Sequence, residues 1–115
     1  MTQQTSSVNI GSLVDQLLDT ATQAHSGRAT HVFRAVPGGV MSQVLLVLKD
    51  GRELSEHENP GEALLHVLRG RVRLIAGEDT WELGADDHIV VPKQRHSLLA
   101  LEDAAVLLTV ARPRS

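Results

Sequence analysis

At 115 residues the chain has room for one domain built on one core and none for a separate catalytic domain. Eleven Lys and Arg stand against fourteen Asp and Glu, interspersed to a net charge of −3, which argues against a nucleic-acid groove. The lack of cysteine excludes disulfides, thiolate nucleophiles and thiolate metal sites. With one Phe, one Trp and no Tyr there is little ring surface on which to stack bases or sugars. The core is therefore expected to be aliphatic, and six histidines carry most of the remaining chemistry.

Residues 1–11 are expected to form a flexible, polar N-terminus. They lack the basic start and apolar run of a signal peptide, and no apolar run in the chain approaches a membrane span, so the expectation is a cytoplasmic protein with no membrane partner. Ser12 stands three residues before Asp15, as at the start of a capping box. Leu13, Val14, Leu17, Leu18, Ala21 and Ala24 then recur at helical spacing until Gly27 offers a stop, which predicts an amphipathic helix within residues 12–27. With no second helix to meet, its apolar face must pack on a sheet or on another subunit.

Beyond Gly27 the pattern becomes short β-like runs separated by turn signals. Strands are predicted over 29–36, 40–49, 52–57, 62–69, 71–76, 80–83, 88–91, 97–101 and 104–111, divided by Pro37-Gly38-Gly39, Asp50-Gly51, residues 58–61, Gly70, Gly77-Glu78-Asp79 and the later polar turns. Nine short, evenly spaced strands with little helix indicate an all-β sandwich or closed barrel over residues 28–112. From Arg69 to Leu74 the three arginines alternate with Val72 and Leu74, as on a strand with one wet face.

Residues 51–70, GRELSEHENPGEALLHVLRG, hold Gly51, His57, Asn59, Ala63 and Gly70 at a spacing that resembles the first motif of the cupins. In that motif a glycine, two histidines, a glutamate and a closing glycine occupy these positions. Residues 86–96, DDHIVVPKQRH, resemble the second cupin motif in altered form. Asp86 stands where the family usually has glycine, and the turn from Pro92 to His96 is one residue shorter than usual. The chain is similar to small single-domain cupins of the RmlC-like jelly-roll type over about residues 29–111. The resemblance implies a double-sheet jelly-roll barrel preceded by one helix, and a homodimer, with the helix free to cover a barrel end or dock across the dimer.

In cupins the histidines and glutamate of the first motif and the histidine of the second hold a divalent transition metal, such as Zn, Fe, Ni or Mn, inside the barrel. Carried over position by position, His57 and His96 are the metal ligands that remain, with Asn59 and Ala63 at the other two places. A catalytic zinc takes three protein ligands, and non-haem iron takes two histidines and a carboxylate, so two histidines alone fall short. Glu62 could serve as third ligand or general base if a bulge at Gly61 turns it inward, and Gln43 could supply an amide oxygen from the preceding strand. Strict alternation from Ala63 instead leaves Glu62 and His66 outside. The bland alternatives are a hydrogen-bonded pair for His57 and His96, a solvated strand position for His66, and turn residues for Asp86 and Asp87.

Two functions follow. One is a small cupin that binds a small molecule, with a divalent metal as a further expected ligand of a degenerate centre. The other is a metal-dependent enzyme of dioxygenase, isomerase or lyase type, and fold alone does not choose between them.

Overall fold

The computed structural model describes residues 7–58 and 61–112. Helix α1 spans Ile10–Gln23, with Asn9 as its N-cap accepting a 2.9 Å hydrogen bond from the Ser12 amide. It thus begins three residues before Leu13, the start expected with Ser12 as the cap, because Asn9 rather than Ser12 supplies the capping oxygen. Among the described residues no helix is long and apolar enough to cross a membrane.

Nine strands follow: β1 (Arg28–Ala35), β2 (Met41–Leu48), β3 (Glu53–His57), β4 (Glu62–Arg69), β5 (Arg71–Ala76), β6 (Asp79–Gly84), β7 (His88–Val90), β8 (His96–Ala100) and β9 (Ala104–Ala111). They form two antiparallel sheets, ordered β1-β2-β9-β4-β7 and β3-β8-β5-β6, whose facing sides enclose the core. This is the jelly-roll architecture expected of the sequence.

Alternation assigns the faces. Leu46 and Leu48 of β2, Ala63, Leu65 and Val67 of β4, Val72 and Leu74 of β5, Leu98 and Ala100 of β8, and Val106 of β9 are buried between the sheets. The opposite face of β2 and β9 is covered too. Leu45, Val47 and Ala105 pack under Val14 and Ala21 of α1, with Leu13, Leu17, Leu18, Phe33 and Leu68 around them. The helix therefore docks on its own sheet, and Arg69 Nη1 ties it to β4 through a 2.7 Å contact with Asp15.

The arginines divide at Gly70, where the chain passes from one sheet to the other. Arg69 belongs to the large sheet, whereas Arg71 and Arg73 share Glu82 on the solvent side of the small one. Hydrogen bonds from Arg73 and then Arg71 hold the Glu82 carboxyl below its ordinary range. Exposed pairs of this kind add little to stability.

Gly51 and Gly70 both meet the structure at the turn between β8 and β9. The Gly51 amide donates to the Ala100 carbonyl at 2.9 Å, and the Asp50 amide donates to Asp103 Oδ1 at 2.8 Å. Lys49 Nζ reaches Asp103 Oδ2 at 2.8 Å. Gly70 has φ +79° and lies so close to Asp103 that a Cβ would run into the Asp103 carbonyl oxygen, whereas Gly51, at φ +81°, faces open space.

The two glycines are thus expected to respond differently to alanine. Gly51→Ala should lose about 1–2 kcal/mol, the ordinary cost of left-handed backbone, and Gly70→Ala more than about 3 kcal/mol, because a backbone clash adds to it. Urea midpoints of the two variants check the order. At the same corner, Lys49 and the Asp50 amide hold the Asp103 carboxyl below its ordinary range. Its contribution is present above that ordinary range and is lost as pH falls through the depressed folded value. In Asp103→Asn, the acid limb of a plot of melting temperature against pH should flatten below about pH 4, by an amount worth less than about 1 kcal/mol for so exposed a pair.

Candidate functional site

His57 ends β3 and His96 begins β8, and the two are paired across the small sheet. Their rings meet edge to face with centroids 4.5 Å apart and planes at 62°. His96 is 4% exposed and His57 is half-buried. Period two along β3 would put Glu56, not His57, on the same side as Leu54. The register shift between Leu54 and His57 inserts the extra residue that turns the imidazole inward.

Each ring is oriented by its own strand end. His57 Nδ1 lies 3.0 Å from the Ser55 carbonyl and His96 Nδ1 lies 2.8 Å from the Gln94 carbonyl. A carbonyl oxygen only accepts, so in both rings Nδ1 carries the proton of this bond. This is the tautomer a metal-binding histidine needs, fixed in the way outer partners commonly fix it.

Apart from the two imidazoles, the cavity beside them is lined by aliphatic side chains: Leu46, Leu54, Leu65, Leu74, Val91, Leu98, Val106 and Leu108. Its volume is about 20 Å³, measured as the space open to the centre of a water molecule. That is room for about one water molecule. On the surface, Arg95 Nε donates to Glu56 Oε1 at 3.0 Å, and Arg95 Nη1 lies 3.9 Å from Glu58, so this basic side chain spans from the segment before β8 to the end of β3.

The other candidate residues do not join the pair. Glu62 is exposed on β4 because its neighbour Ala63, 2% exposed, takes the inward position; Gly61 does not turn the carboxylate in. Gln43 pairs with Thr109 on the helix-side face and donates to Thr109 Oγ1 at 3.1 Å, so it does not project into the barrel. The reason is parity: Leu46 and Leu48 face the cavity, which places Gln43 with Leu45 and Val47. His66 also points outward, beside His88 and Asp86. Asn59 lies outside the described residues.

The donor set of the pair is incomplete for the metal that the family resemblance implies. Among the described residues no group of three or more His, Asp or Glu side chains could hold a metal ion, and a methyl group stands at Ala63 in place of a carboxylate. Two oriented imidazoles are one ligand short of the usual catalytic arrangement, so that group does not fit as the family holds it. The aliphatic character of the interior was expected from composition, but which residues line the cavity was not. Leu46 and Leu108 lie in runs apolar at every position, which hides which residues face inward.

A family model described as "Cupin domain" matches residues 44–111. No curated protein matches the chain in sequence. Solved structures share the fold at low identity. One is a conserved protein of unknown function from Streptococcus pyogenes, with 23% identity and a TM-score of 0.72 over 83% of this chain and 86% of that one. Another is KdgF from Halomonas sp., with 19% identity and a TM-score of 0.66 over 79% and 85%. A third is a salicylate 1,2-dioxygenase variant from Pseudoaminobacter salicylatoxidans, with 19% identity and a TM-score of 0.72 over 87% of this chain and 33% of the larger one.

If Glu62 takes no part in the site, Glu62→Gln should leave stability within about 0.5 kcal/mol of the parent, as for an ordinary surface substitution. It should also leave zinc uptake unchanged, which equilibrium dialysis checks.

Proposed function

The chain belongs to the cupin family, and on that premise we propose that it is a small-molecule-binding cupin whose ligand is held by His57 and His96 at the mouth of an aliphatic barrel. The observation that carries this reading is the pair of Nδ1–carbonyl hydrogen bonds, which fix the orientation of two imidazoles beside an otherwise apolar cavity. Such a site suits a compact, largely apolar molecule with one polar group directed at the histidine pair. The cavity volume restricts it to a ligand of a few heavy atoms, or to one that moves the lining side chains apart as it binds.

A second reading is favoured by the same tautomers. They suit a divalent metal such as Zn, Fe, Ni or Mn if the ligand itself supplies the missing donor, as in a metal-dependent enzyme of dioxygenase, isomerase or lyase type. The missing carboxylate at Ala63 weighs against it.

Elemental analysis and thermal shift together separate the two. On the binding reading, purified protein carries well under one metal per chain and EDTA leaves its melting temperature unchanged. Small alcohols, phenols or amines should raise that temperature, by up to about 2.7 kcal/mol of stabilisation at a hundredfold excess over Kd. The gain should disappear in His57→Phe and persist on adding EDTA. Stoichiometric metal lost in both His57→Ala and His96→Ala would instead establish the second reading. Equal stabilisation by purely apolar analogues would remove the imidazoles from the first.

A further inference from the structure

The walls of the cavity are unevenly sheltered. Its lining residues on β4, β5 and β8 are buried, as are Leu46, Val91 and Val106, whereas Leu54 and His57 of β3 and Leu108 of β9 are only partly so. β3 is also the edge of the small sheet, with β8 as its neighbour, while the other lining strands, β2, β4, β5, β8 and β9, each have a neighbour on both sides. Val91, just past the edge strand β7, is tied by its amide to the Ala63 carbonyl at 2.9 Å.

The anchorage of β3 weakens along its length. At its start the Arg52 carbonyl accepts from the Ala100 amide at 2.9 Å, and the Arg52 amide donates to the Lys49 carbonyl at 3.0 Å. The pairing with β8 then loses register between Leu54 and His57, and such an irregularity interrupts the ladder. Beyond it the end of β3 is held by the pairing of His57 with His96 and by Arg95, whose Nε donates to Glu56 Oε1 and whose Nη1 lies 3.9 Å from Glu58. These side chains are 58% and 63% exposed, so the ion pairs hold the strand only weakly.

Resting on the reading that the cavity holds a ligand beside His57 and His96, we propose that the second half of β3, Ser55–His57, is the gate by which that ligand enters, with Arg95 as its latch. A cavity with room for about one water molecule must widen to admit an organic ligand, and the wall that yields at least cost is the edge strand with the interrupted register. Opening separates His57 from His96 and closing restores their edge-to-face contact, so entry and capture are one movement. Each imidazole keeps its orientation throughout, because Ser55 moves with His57 and Gln94 stays with His96.

Amide hydrogen exchange of the ligand-free full chain, resolved by NMR, tests the gate, and NMR line shapes during phenol titration test its use. In Arg95→Gln and in Glu56→Gln the protected amides of residues 54–57 should exchange about two- to fivefold faster than in the parent. Those of residues 80–83, on the opposite edge of the same sheet, should keep the parent rate, because their local opening leaves the latch intact. Phenol should bind and leave faster in both variants by a similar factor, with Kd changed less than about twofold. Unchanged exchange at residues 54–57 in both variants, equal acceleration at residues 80–83, or phenol kinetics identical to the parent's would each overturn the gate. Failure of phenol to bind, with the exchange contrast intact, would remove the ligand reading and still support the movement of β3.

Discussion

The site depends on the register between β4 and β9, which pairs Ala63 with Val110, Leu65 with Leu108 and Val67 with Val106. Because side chains alternate with a period of two, this one register places Ala63, Leu65 and Val67 in the core and Glu62 and His66 in solvent. A slip of one residue would bury a carboxylate and an imidazole and expose three apolar side chains. The loss of burial would strongly oppose it. Glu62 thus cannot serve the barrel without dismantling the core that creates it. The chemistry of the cavity is left to the two histidines contributed by the other sheet.

Much of the fold was legible in the residues because turn chemistry punctuates it so regularly. Pro37-Gly38-Gly39, Asp50-Gly51, Gly70 and Gly77 mark strand ends, and all nine strands fall within a few residues of where those signals place them. Less legible was the direction in which individual side chains face. In β2 the run from Val44 to Leu48 is apolar at every position because α1 covers one face and the barrel core the other, so period two leaves no trace and Gln43 could not be assigned. His57 faces inward only through a bulge, a feature with no sequence signature in ELSEH. The size of the cavity depends on how the leucines interdigitate, which composition does not encode.

The motif glycines and the motif ligands have separate physical duties in this chain. Gly51 and Gly70 serve backbone geometry at the β8–β9 turn, and they remain although the ligand positions beside them have changed. The barrel needs no metal to close, because its aliphatic cluster is continuous from β2 through β9, β4, β5 and β8. Surface ion pairs contribute only at the margins, the Lys49–Asp103 corner included. Fold and chemistry can then diverge: the corner that folds the chain stays fixed while the cavity is free to change what it holds.

Helix α1 covers the large sheet at the β1–β2–β9 side, touches β4 only at its Leu68–Arg69 end, and leaves the rest of the β4–β7 side bare. Two sides of one sheet consequently differ in their protection from water. The backbone amides of β2 and β9, roofed by the helix and floored by the barrel, can exchange their hydrogens with solvent only when the whole domain opens. Those of β7, a three-residue edge strand where Val90 is 64% exposed, can exchange through local fraying. The sheet therefore combines a slow centre and a fast margin, and the outward histidines sit on the margin, where the backbone can adjust without unfolding the core.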